Sequence, residues 1–271
     1  MHKSQSILRM FPQLGGMEHL SASLSFKRFP VHFHDTFVVQ LIRSGADWCS
    51  TNDIVAQTGE VFVHFPFASH DGGTLEDRRL EYEAIYPSMK LVAELTGLDP
   101  SQIPTGKSWA TNSKCVVRSV SKLFGLLSSN ADEQKLVAAG KQAFFKILES
   151  GAESAGHPTS KCLDQKLILA RNYLTENAAH DVSIEELSKQ CCVSKFHLIR
   201  AFKKRFGITP RQFLISHRVT IAKQLMISGI PLTQAAFAAG FNDQSHLTRC
   251  FKKLTTCSPG QFRSAAFSRS L

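Results

Sequence analysis

Two sets of side chains in the last third of the chain carry chemistry suited to a polyanion. The first is Lys195, Phe196, Ile199, Arg200 and Lys203; the second is Gln244, Ser245, Thr248, Arg249 and Lys252. An arginine offers a planar fork that matches guanine O6 and N7. Glutamine and serine can read adenine or hold a phosphate, an apolar group can touch a thymine methyl, and a lysine neutralises phosphate. On a lone helix such residues are an ordinary solvated face, and it is their occurrence as two matched sets that shifts the reading toward duplex DNA. Near the start of the chain His32, His34 and His70 form a third group. Imidazoles of this kind bond a ligand in a pocket or hold a metal.

The elements that must position the two basic sets follow from an internal repeat. Displacing the chain by 49 residues lays His197-Leu198 on His246-Leu247, Arg200 on Arg249, Phe202 on Phe251, Pro210 on Pro259 and Gln212-Phe213 on Gln261-Phe262; nine of the 17 positions from 197 to 213 are identical. Upstream the displacement becomes 48, because Asn242 is an extra residue in the second copy. Each copy reads as helix, tight turn, helix. Ile184, Leu187 and Cys191 form the apolar face of one short helix, and Leu232, Ala235, Ala236 and Ala239 that of its counterpart. Ser194 and Asp243 are good N-caps for second helices running to Phe206 and Leu254, with Leu198, Phe202, Leu247 and Phe251 facing inward. Two helix-turn-helix units are therefore expected, at 183–206 and 231–254. Gly240 suits a turn with positive φ, whereas Cys192 stands at the matching place in the first copy. Pro210 starts and Gly229-Ile-Pro231 ends a helix joining the units, about 28 Å long at 1.5 Å per residue.

Charge supports the same partner. The chain of 271 residues carries a net charge of +10; from Cys162 onward there are 16 Lys and Arg against 6 Asp and Glu, while the residues before it balance to zero. A domain that basic attracts nucleic acid, although charge alone favours it only slightly over a solubilising surface. No stretch approaches 18 apolar residues, and the N-terminus lacks the pattern of a signal peptide, so no membrane partner is expected. The seven cysteines include no C-x-x-C pair and read as reduced fillers of a cytoplasmic protein.

The chain divides near residue 155. Residues 151–162 lie in a Gly-, Ser- and Ala-rich stretch that reads as a flexible linker between a domain at 1–150 and another at 163–271. Short strands are predicted at 37–42, 53–56, 60–65 and 80–85, which fits a small all-β sandwich or barrel. Apolar steps of three and four predict helices over 113–148, broken at 128–130.

Residues 183–263 resemble the DNA-binding domain of the AraC family of bacterial transcription regulators. The resemblance rests on Ser194-x-x-His-Leu-x-Arg-x-Phe-Lys-Lys followed by Thr209-Pro-x-Gln-Phe, on Gly240-Phe-x-Asp-Gln-Ser-His-Leu-Thr-Arg-x-Phe-Lys-Lys, and on Ser258-Pro-Gly-Gln-Phe-Arg263. It implies two recognition helices, near 195–206 and 243–254, that read adjacent major-groove segments of double-stranded DNA, with RNA polymerase as a further partner. Pro30-Val-His-Phe-His34 and the stretch from Gly59 to Gly72 resemble the two cupin motifs found in sensor domains of that family. This second resemblance implies a cupin-like β-barrel with flanking helices, binding a small-molecule effector through His32, His34 and His70. The expected fold is thus α+β in two domains, an N-terminal cupin-like barrel and a C-terminal all-α domain. Metal-dependent cupins place a Glu about four residues after the His-x-His pair; Val38 and Val39 stand there. The histidines are accordingly read as hydrogen-bonding pocket residues, with no metal, no cofactor and no catalytic residue. Two alternatives stay open at this stage: a metal-dependent cupin enzyme fused to a DNA-binding tail, and a ligand-independent activator. Homodimerisation through helices 113–148 is expected from the resemblance, unless those helices bury their apolar faces on their own barrel.

Overall fold

The computed structural model describes residues 5–25, 28–75, 79–106, 108–129, 131–152 and 161–267. The chain forms two compact units. One comprises Met1–Phe29 and Asp35–Ala155, the other Pro30–His34 and Gly156–Leu271.

Strands β1 (Gln5–Phe11), β2 (Met17–Leu24), β4 (Val38–Ser44), β7 (Val61–His64), β9 (Leu80–Tyr86) and β10 (Ser108–Thr111) make a six-stranded sheet in the order β1-β2-β9-β4-β7-β10. Between them in sequence lie β3 (Arg28–His32), β5 (Ala46–Cys49), β6 (Ile54–Gln57) and β8 (His70–Gly73), with β5 and β6 forming a small antiparallel ribbon. Helices α1 (Met89–Thr96), α2 (Lys114–Ser128) and α3 (Glu133–Ala152) complete this unit.

The expected cupin-like barrel is not what forms. The sheet is open: among the described residues β1 pairs with β2 and β10 with β7, and the two edges do not meet. The physical reason lies in how its faces are covered. Strand alternation sends Val61 and Val63 to one face and Phe62 and His64 to the other, and all four are buried. On the first face Val39, Leu41, Val61, Val63 and Ile85 pack under Val92 of α1, Val120 and Phe124 of α2 and Phe144 of α3. On the second, Leu20, Ile42, Phe62, Leu80 and Tyr82 pack with Cys49 and Ala56 from the β5–β6 ribbon. A sheet covered on both sides has no need to close on itself, and strand periodicity in the sequence cannot separate the two outcomes. Helices α2 and α3 coincide with the helical stretch expected at 113–148, and they spend their apolar faces on their own sheet. Helix α1 and strands β1, β2, β3, β5, β8 and β10 have no counterpart among the elements expected from the sequence. No helix is long and apolar enough to cross a membrane among the described residues.

The second unit is helical from α4 onward: α4 (Lys161–Glu176), α5 (Ile184–Gln190), α6 (Lys195–Phe206), α7 (Pro210–Ile227), α8 (Leu232–Ala238), α9 (Gln244–Leu254) and α10 (Pro259–Phe267). Of the expected linker at 151–162, α3 holds the first two residues and α4 the last two, while 153–160 lie outside the described residues. Helix α7 is the spine, packing against α4, α6, α8, α9 and α10. Its N-terminus is a capping box. The Thr209 hydroxyl accepts the Gln212 N–H, and Gln212 Oε1 accepts the Thr209 N–H at 2.9 Å, with Pro210 at the position that needs no donor. Ser258 and Gln261 repeat this arrangement ahead of α10, at 2.8 Å for the Ser258 N–H. The repeated Pro and Gln of the sequence are thus helix starters.

Candidate nucleic-acid interface and the histidines

Each basic set sits on the second helix of a helix-turn-helix unit. In the first, the Ser183 hydroxyl caps α5 by accepting the Glu186 N–H at 3.1 Å. Leu187 and Cys191 then bury against Leu198 and Phe202 of α6. In the second, the Asp243 carboxylate caps α9 by accepting the His246 N–H at 2.6 Å, and Leu247 and Phe251 bury against Ala235 and Ala236 of α8. The inward positions being fixed, the helical period leaves Lys195, Phe196, Arg200, Lys203, Gln244, Ser245, Arg249 and Lys252 exposed, with Ile199 and Thr248 half-buried. Phe196 is the extreme case, an aromatic ring 82 % exposed in the first turn of α6. Neither Arg200 nor Arg249 has a hydrogen-bond or ion-pair partner among the described residues, so both guanidinium forks face solvent unspent. Lys203, Lys204 and Arg205 end α6, and Lys252 and Lys253 end α9, where the helix dipole also favours cations.

Two of these residues are tied inside the protein, which sequence reasoning missed. Lys195 Nζ meets Glu185 Oε1 at 2.6 Å. At the equivalent place in the second unit the Thr233 hydroxyl donates to Gln244 Oε1 at 2.7 Å, which leaves the Gln244 amide N–H groups to donate outward. The signal that could have found both ties was the 48-residue displacement, which lays Glu185 on Thr233.

The turns differ as the sequence implied. Gly240 adopts φ +84° and Cys192 φ +48°, so both need the left-handed region. At Gly240 a methyl group would stand 2.6 Å from the Ala178 carbonyl oxygen. Cys192 is exposed, and its carbonyl accepts a bond from Lys166 Nζ at 3.3 Å.

The histidines fall on both units. His70 is buried in the first and donates Nδ1–H to the Ala68 carbonyl at 2.8 Å, which leaves Nε2 as the acceptor nitrogen. Its ring stacks on His64 at 3.9 Å, a partner that went unforeseen, and His64 Nδ1 is 2.8 Å from the Ser108 hydroxyl. His32 and His34 belong to the segment Pro30–His34, which groups with the second unit; their Nε2 atoms lie 3.1 Å apart. The first unit also holds a pair of carboxylates with opposite environments. Burial pushes the Asp47 carboxyl up to about 6, although the Gly73 N–H donates to it at 2.8 Å. Burial acts to raise Asp71 as well, but the Ser50 hydroxyl, the Thr51 N–H and the Thr51 hydroxyl outweigh it and hold Asp71 at about 2; Arg28 Nη2 is 3.2 Å away.

Comparison with known proteins fits this geometry. The profile of the AraC-like ligand binding domain matches residues 14–144, and that of a helix-turn-helix domain matches residues 187–265. The chain is 34 % identical to the multiple antibiotic resistance protein MarA of Escherichia coli (strain K12) over 93 residues, 34 % of this chain and 73 % of that protein. It is 28 % identical to the uncharacterized HTH-type transcriptional regulator YbfI of Bacillus subtilis (strain 168) over 231 residues, 82 % of each chain. It is 26 % identical to the HTH-type transcriptional activator RhaS of Pectobacterium atrosepticum over 256 residues, 89 % of this chain and 90 % of that one. The crystal structure of ToxT from Vibrio cholerae O395 shares the fold, with TM-score 0.60 over 99 % of both chains at 14 % identity. The fold and site define a sequence-specific DNA-binding transcription regulator. The chain belongs to the AraC family, a membership that makes it a regulator and not an enzyme.

Proposed function

We propose that α6 and α9 read two adjacent major-groove segments on one face of a duplex, and that an effector bound by the N-terminal unit governs this binding. The observation that carries the reading is the pair of solvent-facing forks, Arg200 and Arg249, at equivalent places on two repeated helices. Helix α7 has 18 residues, about 27 Å at 1.5 Å per residue, a length compatible with units one DNA turn of about 34 Å apart. Lys203 and Lys252 are assigned to phosphate, and Phe196 and Ile199 to thymine methyl groups.

The effector reading rests on the ligand-binding family of residues 14–144 and on buried polar groups such as His70. Crystal structures of ToxT hold an unsaturated fatty acid or (E)-4-(8-methylnaphthalen-1-yl)but-3-enoic acid, so apolar carboxylic acids are the first compounds to try. RNA polymerase is a proposed partner by family. A homodimer is likewise proposed by family alone, since α2 and α3 turn their apolar faces to their own sheet.

The test is selection of duplexes from a random library by the full-length chain, followed by a hydroxyl-radical footprint. Two protected segments per chain, about 10 base pairs apart, are expected. A single protected segment would overturn the reading. A thermal-shift series with the carboxylic acids addresses the effector, and sedimentation of the full chain addresses the dimer.

A further inference from the structure

Arg218 lies in the middle of α7, far in sequence from both recognition helices, yet it touches what leads into each of them. Its side chain is buried, 9 % exposed. Nε donates to the Ala178 carbonyl at 2.7 Å and Nη2 to the His180 carbonyl at 2.8 Å. Those carbonyls belong to the loop that ends three residues later at Ser183, the cap of α5. The same guanidinium also borders the second unit. A methyl group at Gly240 would stand 2.9 Å from Arg218 Nε, 2.6 Å from the Ala178 oxygen and 3.1 Å from the Ala179 Cα. Gly240 is followed by Phe241, which is buried, and three residues on by Asp243, the cap of α9. One planar cation therefore bonds the entry to the first unit and abuts the entry to the second.

This arrangement is more than packing. A planar fork bonded to two carbonyls holds the loop in one orientation, whereas an apolar residue would leave it free to slide. Contact at Gly240 is close enough that the turn of the second unit has no room to approach further. Arg218 also lines an open cleft of about 610 Å³ that Ile199 and Leu214 share with Asn242 and His246 of the second helix-turn-helix unit.

We propose that Arg218 is the positioning residue that sets the distance and rotational phase of α9 relative to α6, and so the spacing of the two DNA segments the protein accepts. The inference about spacing rests on the two-segment reading above; the inference about the helices does not.

The experiment compares full-length wild type with Arg218→Lys, which keeps the charge but loses the fork, and with Gly240→Ala, which presses on the same contact from the other side. The DNA probes are a duplex selected by the wild-type chain and the same duplex with one base pair added between its segments. Distances between α6 and α9 are read, without DNA, from spin labels on unnatural residues at positions 204 and 253, which leaves the native cysteines alone. The wild type is expected to prefer the original spacing by about 10-fold or more, since an added pair misplaces every base contact of one unit. In both variants that preference should fall to about 2-fold, and the single narrow distance should broaden or shift. An unchanged distance distribution in both variants overturns the proposal, as does loss of folding in both, which would make the contact a requirement of the fold and not of phase. A broadened distance with an unchanged preference overturns the claim that Arg218 sets the spacing, whereas a wild type with no spacing preference refutes the two-segment reading instead.

Discussion

Lys195 Nζ stands 2.6 Å from Glu185 Oε1, across the turn of the first helix-turn-helix unit. The tie joins the first residue of the recognition helix to the second residue of the helix before it, and Gln244 and Thr233 make the corresponding tie in the second unit. An acidic group is thereby held beside the N-terminal end of α6, and Lys195 is partly spent. Replacing Glu185 by Gln should release the lysine and remove the nearby negative charge. Affinity for any duplex should rise a few-fold at low salt, and the slope of log affinity against log salt should steepen by about one. An unaltered slope would mean that Lys195 does not approach phosphate.

Thr233→Val should act differently. It removes the hydroxyl that orients Gln244 and leaves the charge unchanged. Discrimination at the base pair read by Gln244 should weaken by about 1 kcal/mol, with little change on random DNA. Competition assays with single-base variants of the selected duplex measure this. Equal losses on cognate and random DNA would assign Gln244 to phosphate.

Arg200→Ala and Arg249→Ala should each cost about 1–3 kcal/mol on the selected duplex and much less on random sequence, while Lys203→Ala and Lys252→Ala should weaken both alike. Titrations of full-length variants on the two duplex types distinguish the roles. An arginine variant that loses equally on both would be a backbone contact.

The two turns predict opposite signs for stability. Cys192 is exposed and pays for a left-handed conformation with φ +48°, so Cys192→Gly should be stabilising by up to about 1 kcal/mol, less the entropy that glycine adds to the unfolded chain. Gly240→Ala must both strain φ +84° and displace the Ala178 carbonyl, and should destabilise. Thermal melts of the two variants check this; a loss of stability in Cys192→Gly would show that the first turn is not strained.

Stability of the N-terminal unit should respond to Asp47. Its folded carboxyl titrates at about 6, above the unfolded value of 3.8, so the folded state binds the proton more tightly. The contribution is complete below pH 4 and is lost as pH rises through 6. Asp71, held at about 2, acts in the opposite sense and lower, where stability falls as pH drops below 4. Asp47→Asn keeps an oxygen for the Gly73 N–H and removes the titration. Its melting curve should be less pH-dependent between 4 and 6 and, at pH 7, more stable than wild type by about 1–3 kcal/mol. Parallel pH dependence in the two proteins would count against the buried carboxyl.

The C-terminal half was largely legible because its information is local. The cap at Asp243, the start at Pro210 and the inward Leu198, Phe202, Leu247 and Phe251 all act within a turn or two of helix, and the repeat states the pattern twice; Ser194, expected as a cap, precedes α6 but makes no side-chain cap bond. That local grammar also selected the exposed Arg200 and Arg249. What it could not reach were pairings set by folding. The Glu185 and Thr233 ties cross a turn, and the Arg218 bonds span 40 and 38 residues. The same limit explains the N-terminal error. The strand over 60–65 was legible, but whether its sheet closes or is roofed by α1, α2 and α3 depends on which distant segments cover it. The sequence alone determined the helices, their caps and the side chains left facing solvent, since backbone bonding and the helical period act between near neighbours. Only the tertiary structure decided that the sheet stays open, that burial raises the Asp47 carboxyl, and that one guanidinium stands between the two helix-turn-helix units, because each depends on desolvation and contact between residues that the chain itself keeps far apart.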